Sequence, residues 1–506
     1  MSRVASCFLP ARCLPLVRAA WLHNSSIWSR PPIHDWCFRG HRPLTSLRAV
    51  GAGAQDLQVR DGGSTPSPGP TDAAAERRSS LLSVLRSRGL LADVAGGAEG
   101  LTAAAAAGPL RVYCGFDPTA QSLHLGNLLC LMVLAWFQRC GHQAVALMGG
   151  ATGRIGDPSG KSSERPVLDE AEVAANAASI ASNVETLLQR VPGSTGEAPL
   201  VLDNYEWWSG MCLLDFLRDV GRHARVGTML AKDSVRTRLE SETGISFTEF
   251  SYQLLQGQDF VHLRKTHGVR VQVGGSDQWG NITAGTELIR KTMDADAFGL
   301  TVPLLLKSDG TKFGKSEGGA IWLSPAKLSP YAFYQALLAT ADNDVARMLR
   351  ALTFLPLEEI DALLAPGQPP AAAQRALAAE VTRFVHGEEG LRDALAATRA
   401  LAPGSSEGSV DLQTLEAAVA GGAPKFAVDR EAALGGPLID LLVRVGAQPS
   451  KGAARRLVQG RGLRVNNKVV TDEGRGLAAD DLVDGRLVMV SLGKKKKLVL
   501  ELGVAP

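Results

Sequence analysis

Apolar and polar positions along the middle of the chain follow two alternating periods. Short strand-like apolar runs lie at 109–117, 142–150, 199–204, 269–275 and 300–306, and segments of helical spacing lie at 123–138, 213–230, 248–263 and from about 281. Strands that alternate with helices in this way indicate a parallel sheet with crossover connections. The pattern therefore predicts an α/β domain over residues 76–325, with ligands bound beyond the carboxyl ends of its strands.

The pattern changes twice after this domain. Residues 326–428 are rich in Ala and Leu at helical spacing, which predicts an α-helical domain. In 429–506, Ser450 can cap a short helix that Gly460 ends, and two strand pairs follow it. We expect a small α+β domain there.

The first 50 residues differ from the rest in composition. They contain seven arginines, no lysine, three tryptophans and a single acidic residue, Asp35. Arginine-rich, acid-poor leaders are typical of mitochondrial transit peptides, although a disordered basic arm is the alternative. Residues 51–75, rich in Gly, Ser, Pro and Thr, are predicted to be a linker.

Positive charge is concentrated at the C-terminus of the processed chain. Residues 449–506 contain twelve Lys and Arg against six Asp and Glu, whereas the whole chain has a net charge of only +3. A local basic region of this kind suits a polyanion, and a solvated charged face is the alternative. The candidate RNA-binding residues are Lys451, Arg455, Arg456, Arg461 and Arg464.

Two classes of protein are excluded by simple counts. The longest apolar run, 128–137, is about half of the ~20 residues that a membrane-spanning helix needs, so no membrane partner is predicted. The seven cysteines contain no Cys-x-x-Cys pair. This favours a reducing compartment and argues against a disulfide scaffold or a protein-bound metal.

The stretch YCGFDPTAQSLHLGN, 113–127, joins a predicted strand to a predicted helix. The free N–H groups at the start of that helix form an anion site, and Gly126 allows a ligand to approach the backbone. His124 and Asn127 add hydrogen-bond donors. A simple capping role for Asn127 is the alternative.

Two further loops contain lysines. In KSDGTKFGKS, 307–316, Lys312 and Lys315 lie three residues apart and suit a polyphosphate, with a solvated hairpin as the alternative. GRIGDPSGKSS, 153–163, is not a P-loop, because Ile155 stands where the first glycine is required. Its Asp157, Lys161 and Arg165 remain candidates for binding an amine and phosphates.

The segment FTEFSYQLLQGQDF places three polar side chains on one helical face. Tyr252, Gln256 and Asp259 lie at i, i+4 and i+7. A core-facing helix normally has apolar residues at such positions, so these side chains indicate a polar ligand. A buried structural network is the alternative.

Together these motifs resemble a known family. HLGN with KFGKS is similar to the paired ATP signatures of class I aminoacyl-tRNA synthetases. YCGFDPTA, GGATGRIGDPSGK, FSYQLLQGQDF and GGSDQWGNITAG resemble, in order, the bacterial-type tyrosyl-tRNA synthetases. The similarity is strong over roughly 80–350 and looser in the tail. It implies a Rossmann-like catalytic domain ending in the KFGKS loop, a helical anticodon-binding domain, and a tail resembling a ribosomal-protein RNA-binding fold.

The resemblance also implies roles for individual residues. The expected tyrosine-binding residues are Tyr113 and Asp259 at the phenol, Asp157, Tyr252 and Gln256 at the ammonium group, and Gln278 near the carboxylate. The expected ATP-binding residues are Cys114, Gly115, Asp117, Thr119, Gly126, Lys161, Arg165, Gly275, Asp277, Lys312 and Lys315. The expected catalytic residues are His124, Asn127, Lys312 and Lys315.

One position departs from the family signature, which usually ends in a second histidine where this chain has Asn127. In the family that residue contacts the nucleotide ribose, and an asparagine amide can donate a hydrogen bond from nearly the same place. We therefore expect the change to preserve function, with ATP affinity as the property in question.

The implied activity is that of a tyrosine–tRNA ligase in the mitochondrial matrix. Its substrates are L-tyrosine, ATP with Mg²⁺ and tRNA(Tyr), and the resemblance implies a homodimer. The tryptophan-specific relative is one rival; Tyr113 with Asp259 argues against it. An RNA-binding or splicing-assisting protein without catalysis is the other, and the intact lysine loop argues against that.

Overall fold

The structure of the chain is a computed structural model. It describes residues 70–161, 164, 168–306, 308, 310, 315–316, 319–401, 410–420, 423–493 and 496–503. The predicted transit peptide, 1–50, lies outside the described residues, as does most of the predicted linker. Residues 70–75 of that linker are helical.

A six-stranded sheet forms the centre of the N-terminal half. The strands of this half are β1 (Val94–Ala95), β2 (Arg111–Phe116), β3 (Gln143–Met148), β4 (Leu200–Asp203), β5 (Val271–Gly275), β6 (Phe298–Val302), β7 (Lys315–Ser316) and β8 (Gly319–Ala320). The order in the sheet is β1-β6-β5-β2-β3-β4, and all neighbours are parallel except β1, which joins β6 antiparallel. The predicted α/β class with a parallel sheet is confirmed.

Helices connect and cover these strands. They are α1 (Pro70–Ser79), α2 (Leu81–Ser87), α3 (Ala98–Ala107), α4 (Leu125–Arg139), α5 (Glu170–Gln189), α6 (Tyr205–Trp208), α7 (Leu213–Asp219), α8 (Val226–Leu230), α9 (Asp233–Leu239), α10 (Phe247–His267) and α11 (Trp279–Met293). Among the described helices, none is long and apolar enough to cross a membrane.

Two predicted elements are shorter than expected. The segment of helical spacing predicted at 213–230 forms two helices, α7 and α8, with a 3₁₀ turn at Gly221–His223 between them. Glycine lowers helix propensity at that point. The strand predicted at 300–306 ends at Val302 because Pro303 has no N–H to donate to a ladder.

The predicted helical domain follows the sheet. Its helices are α12 (Pro330–Leu338), α13 (Asp342–Leu352), α14 (Leu357–Leu364) and α15 (Ala372–Leu401). Gly387 interrupts α15 with a φ of 76°, a backbone conformation that glycine adopts without strain. Buried residues of these helices, such as Phe384, belong to the same apolar cluster as α4.

A second sheet forms the C-terminal part. Its elements are α16 (Leu412–Ala420), α17 (Arg430–Leu434), α18 (Leu438–Arg444), α19 (Lys451–Gln459), β9 (Lys425–Asp429), β10 (Leu463–Val465), β11 (Lys468–Val469), β12 (Leu487–Leu492) and β13 (Lys496–Gly503). The order is β11-β10-β12-β13-β9, and β9 pairs parallel with β13. The predicted boundary at 428/429 therefore cuts a strand of this sheet. Parallel pairing with β13 moves the boundary to the N-terminal side of Lys425.

The local elements predicted in the tail are present. The Ser450 hydroxyl accepts a hydrogen bond from the Ala453 N–H at 3.2 Å and caps α19. Ala454 and Val458 are buried, whereas the basic residues of that helix are exposed. The hairpins β10–β11 and β12–β13 are confirmed.

A fully buried ion pair holds α9 against the start of α10. Arg238 Nη1 lies 2.7 Å from Glu249 Oε1, and the two side chains are 2% and 1% exposed. Arg238 also donates to the Gly244 carbonyl at 2.9 Å. Because α10 contains Tyr252, Gln256 and Asp259, this pair helps to position the candidate site.

Replacing only one member of this pair should destabilise the fold. We expect Arg238→Met to lower the free energy of unfolding by about 3–5 kcal/mol, because the Glu249 carboxylate is left buried and unpaired. Urea unfolding measures the change. The double variant Arg238→Met/Glu249→Leu should recover much of the loss; a double variant as unstable as the single one would contradict this account.

Candidate active site

A cavity of about 510 Å³ lies at the carboxyl edge of the central sheet. It is formed by the ends of β2 and β5, the segment after β3, the start of α4 and one face of α10. Sixteen of the predicted site residues line it: Tyr113, Cys114, Gly115, Asp117, Thr119, His124, Gly126, Asn127, Asp157, Lys161, Tyr252, Gln256, Asp259, Gly275, Asp277 and Gln278. Lys312 and Arg165 lie outside the described residues, and Lys315 belongs to β7.

The amino end of α4 closes one side of the cavity. His124 is the N-cap, and its Nδ1 accepts a hydrogen bond from the Gly126 N–H at 3.1 Å. Asn127 Oδ1 in turn accepts from the His124 N–H at 3.1 Å, so the capping role considered for Asn127 is present. A Cβ at Gly126 would lie 2.9 Å from His124 Cε1, which explains the glycine. The N–H groups of Leu125, Gly126 and Asn127 all donate to acceptors within the protein, so the predicted site of free N–H groups is not present. What this helix end offers the cavity is its positive dipole end.

The chain that leaves β8 is bound to the approach to α4. The Leu125 N–H donates to the Ile321 carbonyl at 2.8 Å, and the Leu323 N–H donates to the Leu123 carbonyl at 2.9 Å. Between them Trp322 lines the cavity, with its ring centroid 6.4 Å from that of His124. The segment that follows the predicted lysine loop is thereby held beside the first ATP signature.

The carboxylate of Asp117 lines the cavity and accepts two hydrogen bonds. Its Oδ1 accepts from the Thr152 hydroxyl at 2.8 Å, and its Oδ2 accepts from the Tyr252 hydroxyl at 2.8 Å. A Cβ at Gly149 would collide with the same carboxylate, so a glycine is needed there. Burial, followed by the charge of Asp117, raises the pKa of Tyr252 well above its usual value, which keeps this hydroxyl a donor.

A second carboxylate, Asp157, lies beside it in the cavity. Its Oδ2 accepts from Gln278 Nε2 at 2.7 Å, and its Oδ1 accepts from the Ser159 N–H at 3.0 Å and Asn281 Nδ2 at 3.3 Å. The structure therefore brings Gln278 into contact with Asp157, one of the predicted ammonium partners. Two carboxylates in one cavity favour a bound cation such as an ammonium group.

The deep end of the cavity contains Tyr113 and Asp259, which are 1% and 2% exposed. Among the described residues the Tyr113 hydroxyl has no hydrogen-bond partner. Asp259 accepts three hydrogen bonds, from Asn204 Nδ2 at 2.9 Å, Trp207 Nε1 at 2.9 Å and Trp208 Nε1 at 2.7 Å. A buried hydroxyl without a partner beside a buried carboxylate fits a ligand that can both accept and donate a hydrogen bond.

Burial raises the pKa of both groups, which leaves them in different protonation states at neutral pH. Burial, followed by the charge of Asp259, raises the pKa of Tyr113 well above its usual value, so its hydroxyl stays protonated. Burial also raises the pKa of Asp259 to about 7, while the hydrogen bonds from Asn204, Trp207 and Trp208 oppose the shift. The Asp259 carboxyl is therefore balanced between its charged and neutral forms.

Comparison with known proteins agrees with this geometry. Residues 105–402 match the family model "tRNA synthetases class I (W and Y)", and residues 415–500 match "Tyrosine--tRNA ligase SYY-like C-terminal domain". The chloroplastic/mitochondrial tyrosine–tRNA ligase of Arabidopsis thaliana is 53% identical over 448 residues, covering 87% of this chain and 86% of the relative. The chain belongs to the tyrosine–tRNA ligase family.

Two further matches support the same family. The tyrosine–tRNA ligase of Protochlamydia amoebophila is 51% identical over 398 residues, covering 78% of this chain and 93% of that protein. Among solved structures, a C-terminally truncated mitochondrial tyrosyl-tRNA synthetase of Aspergillus nidulans has a TM-score of 0.59 at 32% identity. That match covers 65% of this chain and 99% of that one. The class I synthetase fold expected from the motifs is confirmed.

For this member of the tyrosine–tRNA ligase family, the sequence patterns missed the partners of Asp259. Asn204 follows β4 directly, as the other site residues follow their strands, so its position offered a signal. Trp207 and Trp208 gave no such signal, because a pair of tryptophans in a sequence normally indicates apolar packing. Both are half-buried, and each uses its single N–H on the same carboxylate oxygen.

The predicted RNA-binding residues lie far along the chain, in the C-terminal part. Lys451, Arg455, Arg456 and Arg461 are exposed, and Arg464 is half-buried on β10. Lys451 pairs with Asp440 at 2.9 Å, and Arg455 lies 3.5 Å from Glu473. Such exposed pairs are weak and can exchange for phosphate contacts, so the RNA-binding role stays a prediction.

The raised pKa of Asp259 should be visible in stability. Between the unfolded value of 3.8 and about pH 7 the folded protein holds a proton that the unfolded chain has lost, so this group costs stability as the pH rises. We expect the stability of Asp259→Asn relative to the unsubstituted protein to increase from about pH 4 to 7 and then level off. Denaturant unfolding measures this difference; a difference independent of pH would contradict the assigned pKa, whatever constant offset the lost hydrogen bonds add.

Proposed function

We propose that the chain activates L-tyrosine with ATP and transfers it to tRNA(Tyr). The observation that supports tyrosine as substrate is the deep end of the cavity, where the Tyr113 hydroxyl lacks a partner among the described residues and Asp259 lies buried beside it. A substrate phenol would donate to the Asp259 carboxylate and accept from Tyr113. Phenylalanine and tryptophan offer no such pair of hydrogen bonds, and would leave buried polar groups unpaired.

The acidic centre would bind the ammonium group of the substrate. Asp157, Tyr252 and Gln256 line the same cavity as Asp259 and the amino end of α4. Gln278, held by Asp157, would lie near the substrate carboxylate. In this arrangement the substrate carboxylate would point towards the nucleotide.

The nucleotide would occupy the side of the cavity at α4. We assign Cys114, Gly275, Asp277 and Asn127 to the ribose, Gly115 and Asp117 to the neighbourhood of the α-phosphate, and Thr119, His124, Gly126, Lys161, Arg165, Lys312 and Lys315 to the phosphates. ATP enters as its Mg²⁺ complex. In this proposal the ion arrives with the nucleotide and is part of the substrate.

The chemistry then needs orientation more than proton transfer. The tyrosine carboxylate attacks the α-phosphorus and pyrophosphate leaves, giving tyrosyl-adenylate. A ribose hydroxyl of the terminal tRNA adenosine next attacks the tyrosyl carbonyl and AMP leaves. The attacking carboxylate is already ionised, so the enzyme would supply alignment and positive charge for the phosphates.

Amino-acid-dependent ATP–pyrophosphate exchange tests the proposed activity. We expect exchange with tyrosine and almost none with phenylalanine or tryptophan, because only a phenol satisfies Tyr113 and Asp259 together. Exchange with tryptophan would favour a tryptophan-specific synthetase. Absence of exchange from folded protein that binds tRNA would favour an RNA-binding protein without catalysis.

We further propose that the helical domain contacts the anticodon and that the C-terminal part binds RNA backbone. The exposed Arg456 and Arg461, together with the net positive charge of residues 449–506, support the second role. The C-terminal part has its own apolar core, with Leu442, Val490 and Leu500 in it, so its removal should spare the cavity.

A truncation after residue 401 separates the two steps. Because β9 pairs with β13 and α16 packs on the same sheet, the cut should precede α16. We expect exchange to stay within about twofold and tRNA charging to fall about tenfold or more. As a full-length companion, Arg456→Ala/Arg461→Ala should reduce the slope of log affinity against log salt by roughly two. Equal loss of exchange and charging in the truncated protein would mean that the tail supports the catalytic fold.

A homodimer is the proposed assembly. Large apolar side chains between residues 213 and 247 are exposed, among them Leu214 at 75%, Val226 at 60% and Phe247 at 76%. Exposed apolar side chains concentrated in one part of a chain are typical of an interface with a partner. In the family to which this chain belongs, a second copy is the expected partner.

Sedimentation velocity tests the dimer. We expect Phe247→Asp to shift the protein towards monomer, because a carboxylate would be buried in an apolar contact. Leu395→Asp, on α15, is the matched control, since Leu395 is also an exposed apolar residue but lies outside the segment. Unchanged association in Phe247→Asp would remove this segment from the interface.

We propose the mitochondrial matrix as the location. The arginine-rich, acid-poor residues 1–50 support an organellar leader. The Arabidopsis relative is named chloroplastic/mitochondrial, and the Aspergillus structure is named mitochondrial. Both names are compatible with a mitochondrial location.

A further inference from the structure

Two consecutive tryptophans donate to one oxygen of the buried Asp259 carboxylate. Trp207 Nε1 and Trp208 Nε1 lie 2.9 and 2.7 Å from Asp259 Oδ1, and Asn204 Nδ2 lies 2.9 Å from Oδ2. Asn204 directly follows β4, and the two tryptophans lie in the four-residue helix α6. One short segment therefore supplies three of the contacts that Asp259 makes.

Separate ring contacts hold the two indoles. Trp207 stacks on His262 with ring centroids 4.2 Å apart and 14° between the planes. Trp208 meets Phe216 of α7 edge-on, with centroids 5.7 Å apart. Because different neighbours hold them, the loss of one N–H should leave the other indole in place.

The chemistry of these donors selects the charged form of Asp259. An indole N–H and an amide NH₂ can donate but cannot accept. A proton on the carboxyl would therefore point at donors, whereas the carboxylate satisfies all three. Burial acts in the opposite direction and raises the pKa of Asp259 to about 7, so a single donor can shift the balance near neutral pH.

The other charged or titratable groups near Asp259 do not replace this contribution. Tyr113, from β2, keeps its proton because its pKa is raised, and Asp117, beyond β2, raises the pKa of Asp259 further. On α10 itself, Tyr252 also stays protonated, and burial lowers the pKa of His262 so that it is neutral at pH 7. None of them supplies a positive charge.

We propose that Trp208 is a specificity-positioning residue: its indole N–H keeps Asp259 a hydrogen-bond acceptor for the substrate hydroxyl and so enforces the rejection of phenylalanine. The inference rests on the proposed tyrosine activation. A charged Asp259 facing a ring without a hydroxyl keeps its three protein donors but gains none from the ligand to offset its burial, whereas a neutral carboxyl tolerates that ring better. Trp208 thereby acts on selectivity through Asp259 without touching the substrate's reacting atoms.

The test is the full chain with Trp208→Phe, which keeps a ring at this position and removes the donor. ATP–pyrophosphate exchange gives kcat/KM for tyrosine and for phenylalanine between about pH 6 and 9. We expect the tyrosine-to-phenylalanine ratio to fall about tenfold near pH 7–8, the size expected from one lost hydrogen bond to a charged group. The pH at which selectivity is half-lost should move upwards. Equilibrium binding of both amino acids gives a second readout that does not need turnover.

Trp136→Phe is the matched control. The Trp136 N–H has no partner among the described residues, and Trp136 lies near the carboxyl end of α4, so this change should leave the ratio and its pH dependence unaltered. Trp207→Phe should act like Trp208→Phe, since its N–H meets the same oxygen, and it serves if the first variant does not fold.

The outcomes are distinguishable from failure of the proposed function. Exchange with tyrosine by the unsubstituted chain, together with a pH-dependent loss of selectivity in Trp208→Phe, supports the inference. An equal drop for both amino acids with an unmoved pH midpoint would reduce Trp208 to packing and overturn it. No tyrosine-dependent exchange by the unsubstituted chain would overturn the proposed function itself, and the inference with it.

Discussion

The burial of α4 is the constraint on which the rest of the catalytic half depends. Eleven of the fifteen residues of this helix are buried. Because apolar burial contributes roughly 25 cal/mol per Å² removed from water, shifting the helix would disrupt many contacts together. Its amino end presents His124 and Asn127 to the cavity. Near its carboxyl end, the ring centroid of Trp136 lies 5.5 Å from that of Phe354 in the helical domain. The guanidinium groups of Arg88 and Arg139 lie over the same indole. One rigid helix thus connects the proposed nucleotide site with the helical domain.

The deep end of the cavity uses burial in a second way. Phe260, Leu263 and Ile289 pack in the same apolar cluster as Tyr113, and this surrounding makes the charge on Asp259 costly. In the proposed function, that cost is the physical origin of selectivity, because a ligand that cannot hydrogen-bond leaves the cost uncompensated. It also explains why three donors converge on one carboxylate: without them the group would be neutral at working pH.

The C-terminal part is organised differently from the catalytic half. Its sheet buries one set of apolar residues against α18 and α19 and another against α16, so it has a core of its own. Strand β9 pairs parallel with β13, so the first and the last strand of this C-terminal sheet, in chain order, are neighbours. A separate core allows a basic surface to be attached to the catalytic half without altering the cavity.

Much of this protein can be predicted from its sequence, and the limits have a physical cause. The period of apolar residues predicted five strands of the central sheet and its main helices, and Ser450 and Gly460 marked the ends of α19. Polar stretches after strands indicated the sheet edge at which the cavity lies. Such signals are local: they depend on propensity, capping and the rule that parallel strands end at one edge. Only the tertiary structure decided that Trp207 and Trp208 are donors and that β9 belongs to the last sheet. These features arise from contacts between residues tens of positions apart, which no local pattern encodes, and a tryptophan shows its N–H partner only when the chain around it has folded.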